Sequence, residues 1–458
     1  MPLRHAGIKT LDSRLRGNDG VEGRKNPLHF QADVAYKVAM ENLPEPSSLP
    51  ASPAAPASDT KWQNALTRAL THSGYLRRLF TARPELPERL HVSWHSPLCE
   101  ALLLAHLEPA AEDEATLKRQ LRHMRQQAMA HIELRDLAGL APLAEVTEAM
   151  TLLADVATNA ALAFQHAALV RSHGEPLDES GIPQRLMVIG MGKLGGRELN
   201  VSSDVDYIFV YPEDGETAGP AKIENYEFFT RLGKRLIAIL GDITEDGQVF
   251  RVDMRLRPNG DSGPLVSSLA ALETYFIAQG REWERYAWIK ARVLNSGINA
   301  EGKQPYWIEQ LRQTTRPFVF RRYLDYGAIN AMRDLHSEIR REVARKDRVG
   351  HIKLGQGGSR EIEFIAQVFQ LVRGGRDTSL QIRPTLQVLS ALVEHAILPA
   401  TTESDLRLAY HFLRKLEHRL QYVEDQQTHM LPTDEATRAL IAASMTCRDW
   451  EHLTAELE

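Results

Sequence analysis

LMVIGMGKLGGRELNVSSDVDYIFVY, residues Leu186 to Tyr211, holds an apolar strand, a glycine-dense turn and the start of a second strand in one unbroken run. Asp204 and Asp206 open that second strand. Residues i and i+2 of a strand point to the same face, so the two carboxylates converge on one point. A pair of hard oxygen donors suits Mg²⁺, a cation usually held by one or two carboxylates together with substrate phosphates.

The same run imitates another site. Gly190, Gly192 and Gly195 match the GxGxxG dinucleotide fingerprint and follow an apolar strand, as that motif requires. A dinucleotide fold also needs a full helix after the glycines and a ribose-binding acid about 20 residues on. Only Arg197-Glu198-Leu199-Asn200 fits before the Val-Ser-Ser turn, and the acids arrive at the start of the next strand rather than its end. A P-loop is excluded as well, because Gly192-Lys193 is followed by Leu194 rather than Ser or Thr. Two readings remain. One is a short phosphate-cradling loop, in which Gly195 and Gly196 let the backbone approach a triphosphate, with Lys193, Ser202 and Ser203 beside it. The other is a plain tight turn before an Asp-rich strand end.

A third acid favours chemistry. The spacing predicts an amphipathic helix from Glu224 to Leu240, with Phe228, Phe229, Leu232, Leu236 and Ile239 on one face and Gly241 as its stop. Val249 to Arg257 then alternates as a strand, which puts Asp253, Arg255 and Arg257 on one face and Val252, Met254 and Leu256 on the other. That polar face reads either as an ion-paired solvated surface or as Asp253 joining Asp204 and Asp206 as third metal ligand or general base. In the second case the arginines grip phosphate oxygens.

At 458 residues, the chain has room for several domains. Residues 1–60 read as a leader and a Pro/Ala/Ser linker too poor in apolar residues to bury a core. Residues 61–175 read as a helical domain, 176–298 as the mixed α/β core and 299–458 as a second helical domain that stops inside a helix, as a fragment would. The predicted helical faces include Leu117, Leu121, Met124, Ala128 and Ile132, and later Ile362, Ile365, Val368, Phe369 and Val372, the latter helix opened by Ser359 as N-cap. Gly357 to Arg360, a helix N-terminus beside basic residues, reads either as a second anion site or as an ordinary cap. A net charge of −5 gives no electrostatic reason to expect a nucleic-acid partner. The basic run from Arg340 to Lys346 sits among acids and reads as solvated helix. Two cysteines suit a reducing cytoplasm and support neither a disulfide framework nor a zinc cluster. No stretch approaches the ~20 apolar residues of a membrane span. His411 and His418, and the cluster of Trp283, Tyr286 and Trp288, are expected in the core or on a solvated face rather than at a metal or an adenine.

Five blocks then carry a resemblance: GMGKLGGRELNVSSDVDYIFVY, VFRVDMRLRPNGDSGPLV (249–266), GREWERYAWIKARV (280–293), KLGQGGSREIEFIAQVFQLVRGG (353–375) and FLRKLEHRLQYVEDQQTHMLP (412–432). In this order and spacing the chain resembles, from Lys61 to Glu458, the bifunctional glutamine synthetase adenylyltransferase/adenylyl-removing enzyme family. Residues 1–40 match nothing in it. The resemblance implies an α+β fold, with a small mixed-sheet nucleotidyltransferase core of the DNA polymerase β type flanked by N-terminal and C-terminal helical domains. It implies that this is the first of two nucleotidyltransferase halves, the half that removes AMP from a glutamine synthetase tyrosine by phosphorolysis, with phosphate in and ADP out. The missing half would add AMP from ATP. It further implies Mg²⁺ held by Asp204, Asp206 and Asp253, and glutamine synthetase and a PII-type signal protein as partners, with no nucleic acid and no membrane. An RNA or tRNA nucleotidyltransferase on the same fold, and a catalytically silent docking half, are the alternatives.

Overall fold

The computed structural model describes residues 57–297, 304–322, 351–355 and 357–457. Most of the expected leader and the basic run from Arg340 to Lys346 lie outside the described residues. The described residues belong to one compact unit.

The unit opens with helices α1 (Ala57–His72), α2 (Gly74–Ala82), α3 (Leu86–Ser93), α4 (Glu100–Leu104), α5 (Glu114–Leu137) and α6 (Leu143–His173). Asp113 starts α5 by accepting a hydrogen bond from the Thr116 amide at 2.7 Å, which satisfies one of the amides a helix leaves open at its start. The predicted face of Leu117, Leu121, Met124, Ala128 and Ile132 is fully buried.

The mixed segment follows as β1 (Pro176–Asp178), β2 (Met187–Gly190), the single turn α7 (Gly192–Gly195), β3 (Val205–Tyr211), β4 (Gly215–Thr217), α8 (Asn225–Gly241), β5 (Val252–Asp253), β6 (Val266–Ser268), α9 (Leu269–Ala278), α10 (Glu282–Trp288) and β7 (Arg292–Val293). Strands run in the order β5-β3-β2-β7, with β6 also paired to β3. β2 is antiparallel to β3 and β7, whereas β5 and β6 run parallel to β3. β1 and β4 make a separate antiparallel pair.

Both faces of the main sheet are covered. Val205, Tyr207, Phe209 and Tyr211 enter one core with α5, α6 and α8, and the Tyr207 hydroxyl meets that of Thr158 at 2.6 Å. Ile208 and Val210 enter another with Leu272, Trp288, Phe318 and Leu371. The α8 face is buried as its spacing predicts.

Two expectations need correction. The strand through Arg257 ends at Asp253, because the Asp253 side chain accepts a hydrogen bond from the Arg255 amide at 2.8 Å and draws the chain into a turn. This is the ordinary competition between an aspartate side chain and the ladder. Asn259 at φ 61° and Gly260 at φ 55° complete the reversal.

The chain continues as α11 (Tyr306–Val319), α12 (Ser359–Arg373), α13 (Thr385–Glu394), α14 (Ala400–Tyr422), α15 (Glu435–Ser444) and α16 (Trp450–Leu457). The second correction is at α12, where Ser359 is the first helical residue and Gly358 is the cap, with no side-chain hydrogen bond there. Its buried face includes Gln367 and Gln370 as well as Ile362, because Gln370 donates to the carbonyls of Leu380 and Ile382 at 2.7 and 2.6 Å. No helix among the described residues is long and apolar enough to cross a membrane.

Candidate active site

Strand parity decides where the acids stand. Asp206 shares a face with Ile208 and Val210, and its partner across the parallel pairing of β3 and β5 is Asp253. Asp204 lies two residues earlier, just before β3 begins. Burial raises the Asp206 carboxyl, and the nearby charges of Asp253 and Asp204 add to that, so it titrates at about 6. A carboxylate half-removed from water beside two others is costly to ionise. Among the described residues no hydrogen bond or ion pair offsets it.

The two flanking acids are engaged with arginines. Arg251 Nε donates to Asp204 Oδ1 at 2.5 Å, and its Nη2 also reaches the Ser202 carbonyl. Arg255 Nε donates to Asp253 Oδ2 at 2.8 Å, and this bonding holds the Asp253 carboxyl below its ordinary range. Cys447, His452 and Glu456 are the one trio of metal-ligand side chains among the described residues whose donor atoms all lie within 4.8 Å of one another. The three aspartates therefore form a looser cluster than that trio.

Glycine keeps one side of Asp206 open. Gly192 has φ +53°, and a Cβ there would stand 3.2 Å from Asp206 Oδ2. Hard oxygen donors, an ionisation opposed by its neighbours and an uncrowded approach fit a divalent cation.

The residues expected to meet phosphate are placed as follows. A Cβ on Gly195 would fall 1.9 Å from the Lys290 carbonyl, and one on Gly196 2.9 Å from Glu198 Oε2. Both glycines therefore admit the protein's own chain rather than a ligand. Ser202 is buried, with its hydroxyl donating to Asp425 Oδ1. Ser203 alone keeps its hydroxyl without a partner among the described residues. Lys193 is ion-paired with Glu363 of α12. Arg257 Nη1 donates to the Met254 carbonyl at 2.8 Å and braces the turn. At the helix start from Gly357 to Arg360 the backbone amides are used within the chain. Gly358, Ser359 and Arg360 direct their amides to the carbonyls of Gly355, Ile352 and Lys353, and the Gly357 amide donates to Glu361 Oε2 at 3.1 Å.

A cleft of about 650 Å³ opens beside Asp204, lined by Arg255, His351, Lys353, Arg360, Thr428 and His429 among others. Lys353 lies near enough for its charge to act on Asp206. Sequence reasoning passed over Arg251, although it shares its strand parity with Asp253. It had no local signal for Lys353 or the segment around His429, which long-range packing delivers.

That packing is ionic and buried. Lys290 Nζ donates to Glu198 Oε2 at 2.6 Å and to Thr385 Oγ1 at 2.9 Å. Arg414 Nε donates to Asn200 Oδ1 at 2.9 Å, and Arg419 Nη1 to Asp136 Oδ2 at 2.6 Å. His418 sits in the same core against Asn200 at 3.1 Å, where burial and Arg414 lower it to about 4. Trp288 is buried edge-on to Phe276 at 5.2 Å, in the core as expected.

Residues 63–353 match the glutamate-ammonia ligase adenylyltransferase family, and residues 333–458 match the GlnD PII-uridylyltransferase family. Proteins named bifunctional glutamine synthetase adenylyltransferase/adenylyl-removing enzyme are among the relatives. That of Aromatoleum aromaticum is 53% identical over 437 residues, covering 94% of this chain and 45% of the relative. That of Chromobacterium violaceum is 55% identical over 388 residues, covering 84% and 42%. That of Ralstonia nicotianae is 51% identical over 413 residues, covering 85% and 43%. The chain spans less than half the length of these relatives.

Proposed function

Because the chain belongs to the glutamate-ammonia ligase adenylyltransferase family, we propose that it is a Mg²⁺-dependent enzyme that removes AMP from an adenylylated tyrosine of glutamine synthetase by phosphorolysis. The supporting observation is the register that sets Asp206 against Asp253, with Asp204 beside them and Gly192 leaving the approach open. The direction of reaction follows from the resemblance to the first half of the family. The relatives' names supply glutamine synthetase as protein substrate, and the match of residues 333–458 supports a PII-type signal protein as a second partner.

Asp204, Asp206 and Asp253 would hold the cation, with Arg251 and Arg255 ceding part of their hold on the outer two. When bound, magnesium neutralises charge on the transferred group and on the attacking and leaving oxygens. The chain's own part is positioning, which dominates phosphoryl-type transfers. β3 and β5 fix the acids from a sheet buried on both faces. The Lys193–Glu363 pair ties the glycine turn to α12. No proton has to be extracted from a poor acid: an oxygen of hydrogen phosphate forms the new bond to phosphorus, the phosphorus–tyrosyl oxygen bond breaks with its electron pair on the phenol oxygen, and the phosphate's proton ends there. The phenol, with pKa ~10, is a good leaving group.

Asp206→Asn tests the reading. It should cut ADP release from adenylylated glutamine synthetase by at least about a thousandfold while the fold persists, since a preorganised electrostatic contact in such a site is worth ~10²–10³ and a shared ligand more. Retained turnover would remove the acids from the reaction.

A further inference from the structure

The incoming phosphate needs cations that are not already engaged. Of the arginines nearest the acids in sequence, Arg257 is held by its own turn and Arg255 stays in part with Asp253 even beside a bound cation. The amides at the start of α12 are used within the chain. Elsewhere in the cleft the situation differs. Lys353 and Arg360 both line the cleft that Asp204 also lines, and among the described residues neither side chain makes a hydrogen bond or ion pair. Lys353 is half-buried and Arg360 exposed, so one cation sits inside the cleft and the other at its mouth. Together they carry two positive charges, which match the two negative charges of hydrogen phosphate, and an ammonium and a guanidinium together offer the donors its oxygens require.

We propose that Lys353 and Arg360 form the subsite for the attacking phosphate, in the cleft that Asp204 also lines. The assignment rests on the phosphorolytic reading above and adds to it a place for the nucleophile. It also separates the two phosphate groups of the reaction. The attacking phosphate becomes the β-phosphate of ADP, so ADP carries a group into this subsite and AMP carries none. The α-phosphate belongs to the acids and their cation.

The test uses the chain with Lys353→Gln, Arg360→Gln and the charge-conserving Lys353→Arg, each first checked for an unchanged melting temperature. Initial rates of ADP formation give the phosphate KM, product inhibition gives the affinities for ADP and AMP, and ³¹P line broadening gives direct binding of inorganic phosphate. Loss of a charge-assisted contact should raise the phosphate KM about 10- to 100-fold and weaken ADP inhibition by a similar factor. AMP inhibition should be untouched, and Lys353→Arg should recover most of the loss. An unchanged phosphate KM in both Gln variants, with normal turnover, would overturn the subsite and leave the proposed reaction standing. Equal weakening of AMP and ADP would move these cations to the α-phosphate and also overturn it. If the unsubstituted chain makes no ADP yet binds inorganic phosphate, and the Gln variants lose that binding, the phosphorolytic reading fails while the anion site survives.

Discussion

Asp206 stands directly across from Asp253 in the parallel pairing of β3 with β5, so the register of two short strands joins carboxylates that are far apart along the chain. A like-charged pair in a half-buried place is destabilising unless a cation or a proton joins it. The raised carboxyl of Asp206, about 6, records that conflict.

Stability should therefore move opposite to activity at this position. A carboxyl raised in the folded state from its ordinary value binds its proton more tightly than the unfolded chain does. Its contribution to stability is fully present below pH 4 and is lost as pH rises toward 6. Above that, in metal-free buffer at pH 8, Asp206→Asn should stabilise the chain by about 1–3 kcal/mol, read from chemical denaturation. A destabilised variant would show that Asp206 has a structural partner the geometry does not reveal.

Magnesium should reverse the sign. A ligand that binds only the folded state adds about 2.7 kcal/mol at a hundredfold excess over its Kd. Thermal melts with and without Mg²⁺ should show a rise for the unsubstituted chain and little or none for Asp206→Asn. Equal rises in both would place the cation elsewhere.

Glu363 governs the acid limit. Burial opposes its ionisation, but Lys193, Lys290 and Arg414 outweigh that and bring its carboxyl to about 2. The stability it contributes is present above about pH 4.5 and is lost as pH falls toward 2. Glu363→Ala leaves the Lys193 ammonium buried without its partner. It should cost about 3–5 kcal/mol at neutral pH and flatten the decline of stability below pH 4.5, measured as denaturation midpoint against pH. A cost under about 1 kcal/mol would mean that water screens the pair.

The two central glycines should separate folding from function. Gly195→Ala places a methyl 1.9 Å from the Lys290 carbonyl and 2.5 Å from that of Gly190. Backbone has to move, and the loss should reach about 3 kcal/mol or more. Gly192→Ala meets only Asp206 Oδ2 at 3.2 Å but must hold φ +53°, so it should cost about 1–2 kcal/mol and mainly weaken Mg²⁺ binding. Circular-dichroism melts and Mg²⁺ titrations on both variants check this.

These contrasts show what could be read from the chain alone. The apolar run through Tyr211 and the three- and four-residue spacing of α5 and α8 are local patterns, and they made the strand and its flanking helices legible. The alternation after Val249 misled because an aspartate two residues before an arginine can stop a strand by bonding to its backbone. Gly195 and Gly196 looked like room for phosphate because sequence does not reveal what approaches a glycine, and here the neighbour is Lys290. Lys353 and Arg360 reach the cleft only because α12 and α14 dock on the core through Lys193–Glu363 and Arg414–Asn200. No window of sequence contains both sides of those contacts.

On the proposed reading, the aspartate cluster passes AMP from tyrosine to phosphate. Adenylylated glutamine synthetase incubated with the chain, Mg²⁺ and ³²P-labelled phosphate should release ADP labelled at the β-position, matched by recovered unmodified tyrosine. Release of unlabelled AMP, or no nucleotide at all, would contradict it.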